Sequence, residues 1–477
     1  MTSFPKKITV TLWYNKTTNH VKLWQKESNN KKSEKEVSHK ETTLRIEKFT
    51  VGRDREMDMY LAEFDVLGSM AHAIMLESIG LLETEELGLI LKECRKIYND
   101  ILNGKFSIEK NIEDVHSQIE WLLTQALGDA GKKIHSGRSR NDQVLVDLKL
   151  FMRHQVRQVV TQGEQLFHKL IELSNKHKND LLPGYTHLQI AMPSSFGLWF
   201  GAYAESLVDD IVVMHAAYKV VNKNPLGSGA GYGSSFPLNR TLTTKLLGFD
   251  DLNYNVVYAQ MTRGKTEYVV LSGLTSLATT LSRMAMDICL YNSQNFSFLT
   301  LPDDFTTGSS IMPHKKNPDV AELLRAKTNR LKGLPTELAF VTSNLPSGYH
   351  RDMQILKEIL MPAFDQMLEC LDIANFMLSN IEVKTNLLED KKYDPIFSVE
   401  RVNELVMHGL PFRDAYLQVK EEIFGGSYEA QRELNHTLEG SIGNLCNDEI
   451  TKMMNRTIND FDFDKVDEAL EKLLNWE

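Results

Sequence analysis

The sequence of 477 residues contains few of the residues that cross-link or anchor a chain. Its four cysteines lie far apart, so it predicts neither a disulfide framework nor a cysteine metal motif. They are Cys94, Cys289, Cys370 and Cys446. We therefore expect reduced core thiols in a cytoplasmic protein. An apolar run long enough to cross a bilayer is not evident, and the N-terminus lacks an apolar stretch of the secretory type. Neither a membrane partner nor export is expected.

Acidic residues outnumber basic residues in the sequence. Lys and Arg total 54 against 64 Asp and Glu, which gives a net charge of −10. Outside the N-terminal tail we see no long basic stripe, and this argues against nucleic acid as a partner. The apolar share of 42% and the charged share of 25% are ordinary for a globular protein.

A nucleotide-binding signal is missing as well. Residues 225–240 are rich in glycine and serine, but no Lys-Ser or Lys-Thr pair follows them and no strand precedes them. Histidines, cysteines and acids do not cluster at metal-ligand spacing. We therefore expect a protein that uses no metal and no other cofactor.

The first 45 residues differ in character from the rest of the chain. Residues 8–14 are able to form a short strand, and residues 26–43 are polar and rich in lysine. We expect a partly disordered N-terminal tail at 1–45.

Apolar residues recur at helical spacing through most of the remaining chain. From Val270 onward they keep the four-three spacing of a bundle seam. We predict long helices at 142–175, 194–222, 264–296 and 318–343, packed as antiparallel neighbours. Strands are not convincingly predicted beyond the tail. Because one chain would not comfortably bury so much apolar helix surface, we expect a homo-oligomer.

Three helical domains are expected after the tail. An N-terminal domain covers 46–137, the central bundle covers 138–387, and a small domain with shorter helices covers 388–477.

The stretch 307–330 combines the features of an anion-binding loop. Ser309 lies in a flexible Gly-Ser-Ser segment, and Lys315 and Lys316 follow it. Asn317 is placed to cap the next helix, with Pro318 at its first position. Ammonium groups and helix N–H groups there would hold a carboxylate.

Other polar segments also lie at predicted helix ends. They are 65–72, 136–142, 186–189 and 347–357. In a bundle, loops at one end meet, either within a chain or across chains. Their hydroxyls, amides, cations and one histidine fit abstraction of a carbon-bound proton beside a carboxylate, followed by protonation of a departing heteroatom. The residues thus indicate a β-elimination.

Several motifs resemble a known family. The run Gly-Ser-Ser-Ile-Met-Pro-His-Lys-Lys-Asn-Pro at 308–318 is similar to the shared motif of the fumarase/aspartase superfamily. The run His-Ser-Gly-Arg-Ser-Arg-Asn-Asp-Gln at 135–143 resembles the argininosuccinate lyase family within it. So do segments 49–52, 65–69, 184–189 and 439–444, and the likeness extends from about residue 46 to about residue 455.

The resemblance implies an all-α, three-domain homotetramer with a long central bundle that assembles across subunits. It implies cleavage of argininosuccinate to arginine and fumarate, at active sites shared between protomers. Ser309 is favoured as the base, Lys315 stabilises the aci-carboxylate, and His187, oriented by Glu322, acts on the leaving nitrogen. The opposite assignment of Ser309 and His187 stays open. The positions matched to substrate binding are Ser69, Ser139, Arg140, Asn141, Thr186, Asn317, Tyr349, Gln354 and Lys357.

Two alternatives remain at this point. One is another fumarate-releasing lyase, acting on adenylosuccinate or aspartate, against which the Arg-Ser-Arg-Asn-Asp run weighs. The other is a catalytically silent structural homologue, which retention of the four catalytic candidates disfavours.

Overall fold

The computed structural model describes residues 45–477. The expectations for the N-terminal tail, including the strand at 8–14, lie outside these residues. Residues 45–51 are helical, and Arg55 pairs with Glu47 at 3.1 Å. Glu56–Glu477 forms a compact unit of its own.

Helices make up most of the described chain. They are α1 (Asp54–Asp58), α2 (Ala62–Ser78), α3 (Thr84–Leu102), α4 (Val115–Leu127), α5 (Asp129–Lys133), α6 (Arg140–Lys176), α7 (Phe196–Val221), α8 (Arg240–Leu246), α9 (Val256–Met261), α10 (Lys265–Asn292), α11 (Asp319–Leu331), α12 (Leu334–Val341), α13 (Leu356–Ser379), α14 (Ser398–Met407), α15 (Phe412–Gly425), α16 (Asn447–Asn459) and α17 (Phe463–Leu474). Short 3-10 turns join several of them.

The long helices pack as a bundle. Helix α7 lies between α6 and α10, α13 packs on α6, and α11 packs on α10. Phe151 of α6 and Phe364 of α13 meet edge to face, with ring centroids 5.7 Å apart, and both are fully buried. Burying such a side chain contributes roughly 1.5–3 kcal/mol. The predicted all-α fold with a central bundle is confirmed.

One helix has properties that the sequence analysis overlooked. By length and hydropathy, Lys265–Asn292 would be able to cross a membrane. Most of its apolar stretch is nevertheless buried inside the molecule, including Leu274, Leu277 and Leu281. Burial of this kind is common in the central helix of a bundle, so the helix is weak support for a membrane location.

Strands also appear in the described chain, where none was convincingly predicted. They pair as four two-stranded sheets: β1 (Leu181–Thr186) with β2 (Gln189–Ser195), β3 (Lys223–Asn224) with β4 (Asp251–Leu252), β5 (Leu299–Thr300) with β8 (Glu382–Val383), and β6 (Thr307–Gly308) with β7 (Lys316–Asn317). The β1–β2 hairpin was missed because Pro183, Gly184 and Pro193 disguise it as a broken loop. Proline and glycine are tolerated here because both strands of a two-stranded sheet are edge strands. The pairing register also shifts between Pro183 and Tyr185, as it does at a bulge.

The predicted start of the helix after the Ser309 loop is wrong. Asn317 lies in β7, paired with Thr307, and Pro318 is the N-cap residue, with no side-chain cap bond. The helix begins at Asp319, so Pro318 is not at its first position either. The predicted continuous helix 318–343 is divided into α11 and α12 by Lys332 and Gly333.

The C-terminal helices are attached in two ways. Helix α16 packs on α6 and α7, and α17 packs on α2 and α8. Helices α14 and α15 enclose a small hydrophobic cluster of their own, made of Val402, Ala415 and Val419. The domain boundaries after residues 45, 137 and 387 stay predictions.

Candidate active site

The start of α6 organises the first part of the candidate site. Ser139 is the N-cap, its Oγ accepts a hydrogen bond from the Asn141 N–H at 3.3 Å, and its own N–H donates to Asp142 Oδ1 at 2.8 Å. Arg138, one residue earlier, donates from Nη1 to Ser69 Oγ on α2 at 3.0 Å. The capping box and Arg138 together therefore hold Ser69, Ser139 and Asn141, three of the substrate-binding candidates, near one another.

Arg140 has acidic partners within its own chain. Its Nη2 donates to Ser117 Oγ at 3.0 Å and to Glu120 Oε2 at 3.1 Å, and Asp114 lies 3.9 Å from its Nε. The assignment of Arg140 to substrate binding stays a prediction, and these acids would compete with a substrate carboxylate for its guanidinium.

Beneath this turn lies a buried polar cluster that the sequence analysis did not find. The Nδ1 atom of His116 is 2.9 Å from Asp65 Oδ1 and 3.2 Å from Asp147 Oδ2, and all three side chains are buried. Gln143 donates to Asp65 Oδ1 at 3.4 Å. The available signals were His116, two residues after Asp114 at the start of α4, and Asp65 in the polar segment 65–72, but Asp147 sits within an apolar helix pattern and gave none.

Burial and mutual charge separate the protonation states in this cluster. Burial alone would raise the pKa of Asp65, but His116 brings that pKa below its ordinary value. Burial alone would lower the pKa of His116, but the Asp65 carboxylate raises it. Burial, reinforced by Asp65, raises the pKa of Asp147 well above its ordinary value. These directions favour an ionised Asp65, a protonated His116 and a protonated, neutral Asp147.

The same cluster has the spacing of a metal site. One ligand atom each from Asp65, His116 and Asp147 lies within 4.8 Å of the others. A protonated His116 between the two carboxyl groups already balances their charge, and Arg138 adds positive charge nearby. The donor set therefore fits a proton-sharing network better than a bound cation.

The 347–357 segment approaches the same region. Lys357 in the first turn of α13 is buried and pairs with Asp58 Oδ1, while Asp58 Oδ2 accepts from the Val115 N–H at 3.2 Å. Tyr349 is 44% exposed, and Gln354 lies in a 3-10 turn. A cleft of about 370 Å³ borders this segment, lined by residues that include Gln260, Arg263, Lys265, Tyr268, Ser347 and Gly348.

His187 lies at the tip of the β1–β2 hairpin. Thr186 pairs with Gln189, so His187 and Leu188 form a two-residue turn, with φ of 54° and 58°. Both residues therefore adopt the left-handed conformation of a type I′ turn, which glycine and asparagine usually occupy. Thr186 and His187 are exposed.

Ser309 lies on a loop, the excursion 309–315, whose two ends are held together by a short pair of strands. Pairing of β6 with β7 joins Thr307 to Asn317 and Gly308 to Lys316. The Ser309 Oγ accepts from the N–H groups of Ile311 at 3.3 Å and Met312 at 3.0 Å. A hydroxyl with two N–H donors has its lone pairs engaged, and its O–H stays available to a partner.

Two catalytic candidates lie close to this excursion in sequence. Lys315 is exposed on the excursion itself, and Glu322 is exposed on the first turn of α11. Among residues 45–477, the hydrogen bonds of Ser309 remain within its own loop, and none joins it to His187 or Glu322. The candidate site is thus present as separate segments, one partly buried and two exposed.

Comparisons with known proteins identify the family. A family model described as "Lyase" matches residues 23–333. An argininosuccinate lyase from Bacteroides fragilis is 62% identical over 90% of this chain and 96% of its own length. One from Parabacteroides distasonis is 59% identical over 95% and 99%, and one from Xanthomonas campestris is 39% identical over 78% and 86%. The chain belongs to the argininosuccinate lyase family. The resemblance inferred from the sequence motifs is therefore confirmed.

Solved structures agree with the fold expected for this argininosuccinate lyase family member. EDDS lyase in complex with formate aligns with a TM-score of 0.70 at 20% identity, covering 88% of this chain and 91% of that one. A class II fumarase from Schistosoma mansoni aligns with a TM-score of 0.66 at 15% identity, covering 86% and 95%. At these identities the likeness supports the fold alone.

Proposed function

We propose that the protein is a carbon–nitrogen lyase that cleaves argininosuccinate reversibly to L-arginine and fumarate, the last step of arginine biosynthesis. The observation that carries this proposal is the 62% identity to an argininosuccinate lyase over 90% of the chain. Ser309, His187, Lys315 and Glu322 are all present at the matched motif positions. The chemistry requires no cofactor beyond these side chains.

In the proposed reaction Ser309 removes the proton from the β-carbon next to a carboxylate. The exposed ammonium group of Lys315 stabilises the aci-carboxylate that forms, and it favours ionisation of Ser309. His187 then protonates the leaving nitrogen, directly or through water, and Glu322 orients its ring. The reverse assignment, with His187 as base and Ser309 as donor, uses the same groups.

Substrate binding is assigned to the polar segments around these groups. Ser69, Ser139 and Asn141 are linked by the capping box and Arg138. We assign the remaining substrate contacts to Arg140, Thr186, Asn317, Tyr349, Gln354 and Lys357. Gly348 and Met353, the sequence neighbours of Tyr349 and Gln354, line the 370 Å³ cleft, and this supports a ligand site next to this segment.

A homotetramer with shared sites completes the proposal. Large apolar side chains are exposed on the bundle helices, among them Val212 on α7, Met286 on α10, Leu323 on α11, Phe340 on α12 and Phe376 on α13. Association of like chains would cover them. It would also bring the exposed Ser309 and His187 segments of some chains to the Ser69 segment of another. We place this assembly in the cytoplasm.

Fumarate release from a panel of substrates tests the proposed reaction. The wild-type protein is given argininosuccinate, adenylosuccinate or aspartate, each at the same concentration. We expect fumarate from argininosuccinate, with arginine formed in equal amount. Faster release from either other substrate overturns the assignment, and no release from any of them favours a catalytically silent homologue.

A further inference from the structure

The glycine-rich segment 225–233 has no role in the function proposed so far, yet it is held tightly against the candidate site. Gly227, Gly229, Gly231 and Gly233 all have positive φ values, between 60° and 101°. This backbone would be strained with other residues, so its form is specified by the sequence. The glycines shape a loop rather than provide flexibility.

One carboxylate joins this loop to the substrate-binding turn. Asp142 Oδ2 accepts hydrogen bonds from the N–H groups of Gly227 at 3.0 Å and Gly229 at 2.9 Å. Its Oδ1 accepts from the Ser139 N–H at 2.8 Å, and Asp142 is fully buried. The residue that closes the capping box of α6 therefore also fixes the glycine loop.

The far side of the loop reaches the second substrate segment. Gln260, which lines the 370 Å³ cleft, donates from Nε2 to Ser228 Oγ and to the Gly229 carbonyl, both at 3.1 Å. The Tyr232 hydroxyl lies close to Gly348, since a Cβ added there would be 4.0 Å from it. The loop thus spans from the Ser139–Asn141 turn to the turn that carries Tyr349.

The base of the loop is fixed independently of Asp142. Arg240 donates from Nε to the Leu226 carbonyl at 2.9 Å and from Nη2 to the Asn253 carbonyl at 2.8 Å. Loss of the Asp142 contacts would therefore release the Gly227–Gly229 turn while leaving its base attached.

We propose that Asp142 is a positioning residue, whose carboxylate sets the glycine loop as a rigid spacer between the two substrate-binding segments 139–141 and 347–349. Asp142 acts through the loop and not on the substrate. This inference rests on the proposed function for its effect on turnover. The contact itself is independent of that function.

The protonation state of Asp142 determines how strongly its carboxyl group holds the glycine loop. Burial raises the pKa of Asp142 to about 6, although its hydrogen bonds from Ser139, Gly229 and Gly227 and the positive charge of Arg138 oppose this. Arg240 also faces the carboxylate. As the pH falls through about 6, protonation removes one acceptor oxygen, and the link should weaken.

The test compares Asp142→Asn with Glu86→Gln. Glu86 is also the N3 acid of a capping box, on α3, but is remote from the glycine loop in its contacts. An amide offers one acceptor oxygen, so Asp142→Asn cannot accept all three N–H groups. We expect amide hydrogen exchange over residues 226–234 to become roughly tenfold faster, and kcat/KM for argininosuccinate to fall roughly 100-fold. Glu86→Gln should change neither.

Two further measurements separate positioning from helix capping. Wild-type kcat/KM should fall more steeply through about pH 6 than that of Asp142→Asn. Gly229→Ala, which retains the capping box, should reproduce the exchange and activity changes, and the double variant should be little worse than either single variant.

Unchanged exchange in a folded Asp142→Asn protein would overturn the proposed link. Faster amide hydrogen exchange in Asp142→Asn together with a wild-type kcat/KM would overturn the positioning role. If Asp142→Asn does not fold, Gly229→Ala decides the question by the same criteria. If the wild type releases no fumarate at all, the proposed function fails, and hydrogen exchange still tests the link.

Discussion

At the residue scale, the buried cluster of Asp65, His116 and Asp147 gives two chemically similar acids different states. Asp65 has a pKa below its ordinary value and Asp147 a pKa well above it. His116 compensates the Asp65 charge, whereas burial and the nearby Asp65 charge disfavour ionisation of Asp147. Removing the Asp65 carboxylate takes away the hydrogen-bonded ion-pair partner of the buried His116, and breaking a buried ion pair is costly.

Matched amide substitutions test these states. Asp65→Asn should lower the free energy of unfolding by about 3–5 kcal/mol, because it breaks a buried ion pair. Asp147→Asn replaces a neutral acid with a neutral amide of similar shape, so its loss should be under about 1.5 kcal/mol. Urea unfolding at neutral pH and fixed protein concentration provides both values. Equal losses would show that the two acids share one protonation state.

At the element scale, the sequence predicted the helices well and the connections poorly. Apolar spacing of three and four is repeated many times along α6, α7 and α10, so these helices differ from their predicted bounds by at most a few residues. The β1–β2 hairpin is a single two-stranded sheet that contains two prolines, and strands β6 and β7 are each only two residues long. Such short pairings are determined by tertiary contacts that leave no periodic signal.

The site shows the same division. Ser309, His187 and the Ser139–Asn141 turn were predicted as site residues because their motifs are continuous in sequence. The Asp142 link and the His116 cluster were missed because they join residues that are distant in the chain, such as Asp142 with Gly229 and His116 with Asp147.

The His187 turn carries backbone strain that a substitution can relieve. Leu188 is 70% exposed at φ 58°, a conformation that costs a non-glycine residue about 1–2 kcal/mol. Glycine loses more chain entropy on folding, about 0.5–1 kcal/mol, so Leu188→Gly should stabilise the protein by roughly 0.5–1 kcal/mol. It should also lower kcat/KM, because His187 would be held less firmly.

Thermal unfolding at one protein concentration, together with steady-state kinetics, checks this prediction. Leu188→Val is the control, since a β-branched residue is disfavoured at positive φ and should destabilise the protein. A lower unfolding temperature for Leu188→Gly, with no change for Leu188→Val, would contradict a strained turn.

At the scale of the whole molecule, the proposed assembly would explain why the segments that carry His187 and Ser309 are exposed in one chain. His187 and Ser309 lie on a hairpin tip and a loop, while Ser69 is buried beside Arg138. Apolar side chains exposed along the bundle, such as Phe340 at 76% and Phe376 at 57%, supply a surface for contact between chains. The proposed tetramer with shared sites would account for both features together.

Mixed assemblies test this arrangement. Ser309→Ala and His187→Ala proteins should each be inactive, because every site lacks one catalytic group. If these groups come from different chains, co-refolding the two variants should restore a measurable fraction of the wild-type turnover. Light scattering of each variant should give a mass near four times the 54.5 kDa chain. Tetramers that regain no activity would place both groups on one chain.

The most direct test of the central claim is a single-turnover measurement with argininosuccinate and enzyme in excess, comparing the wild type, Ser309→Ala and Ser310→Ala. Ser310 is the adjacent hydroxyl and serves as the matched control. We predict equal amounts of arginine and fumarate from the wild type and from Ser310→Ala, and none from a correctly assembled Ser309→Ala protein. Near-normal product formation by Ser309→Ala would contradict the account.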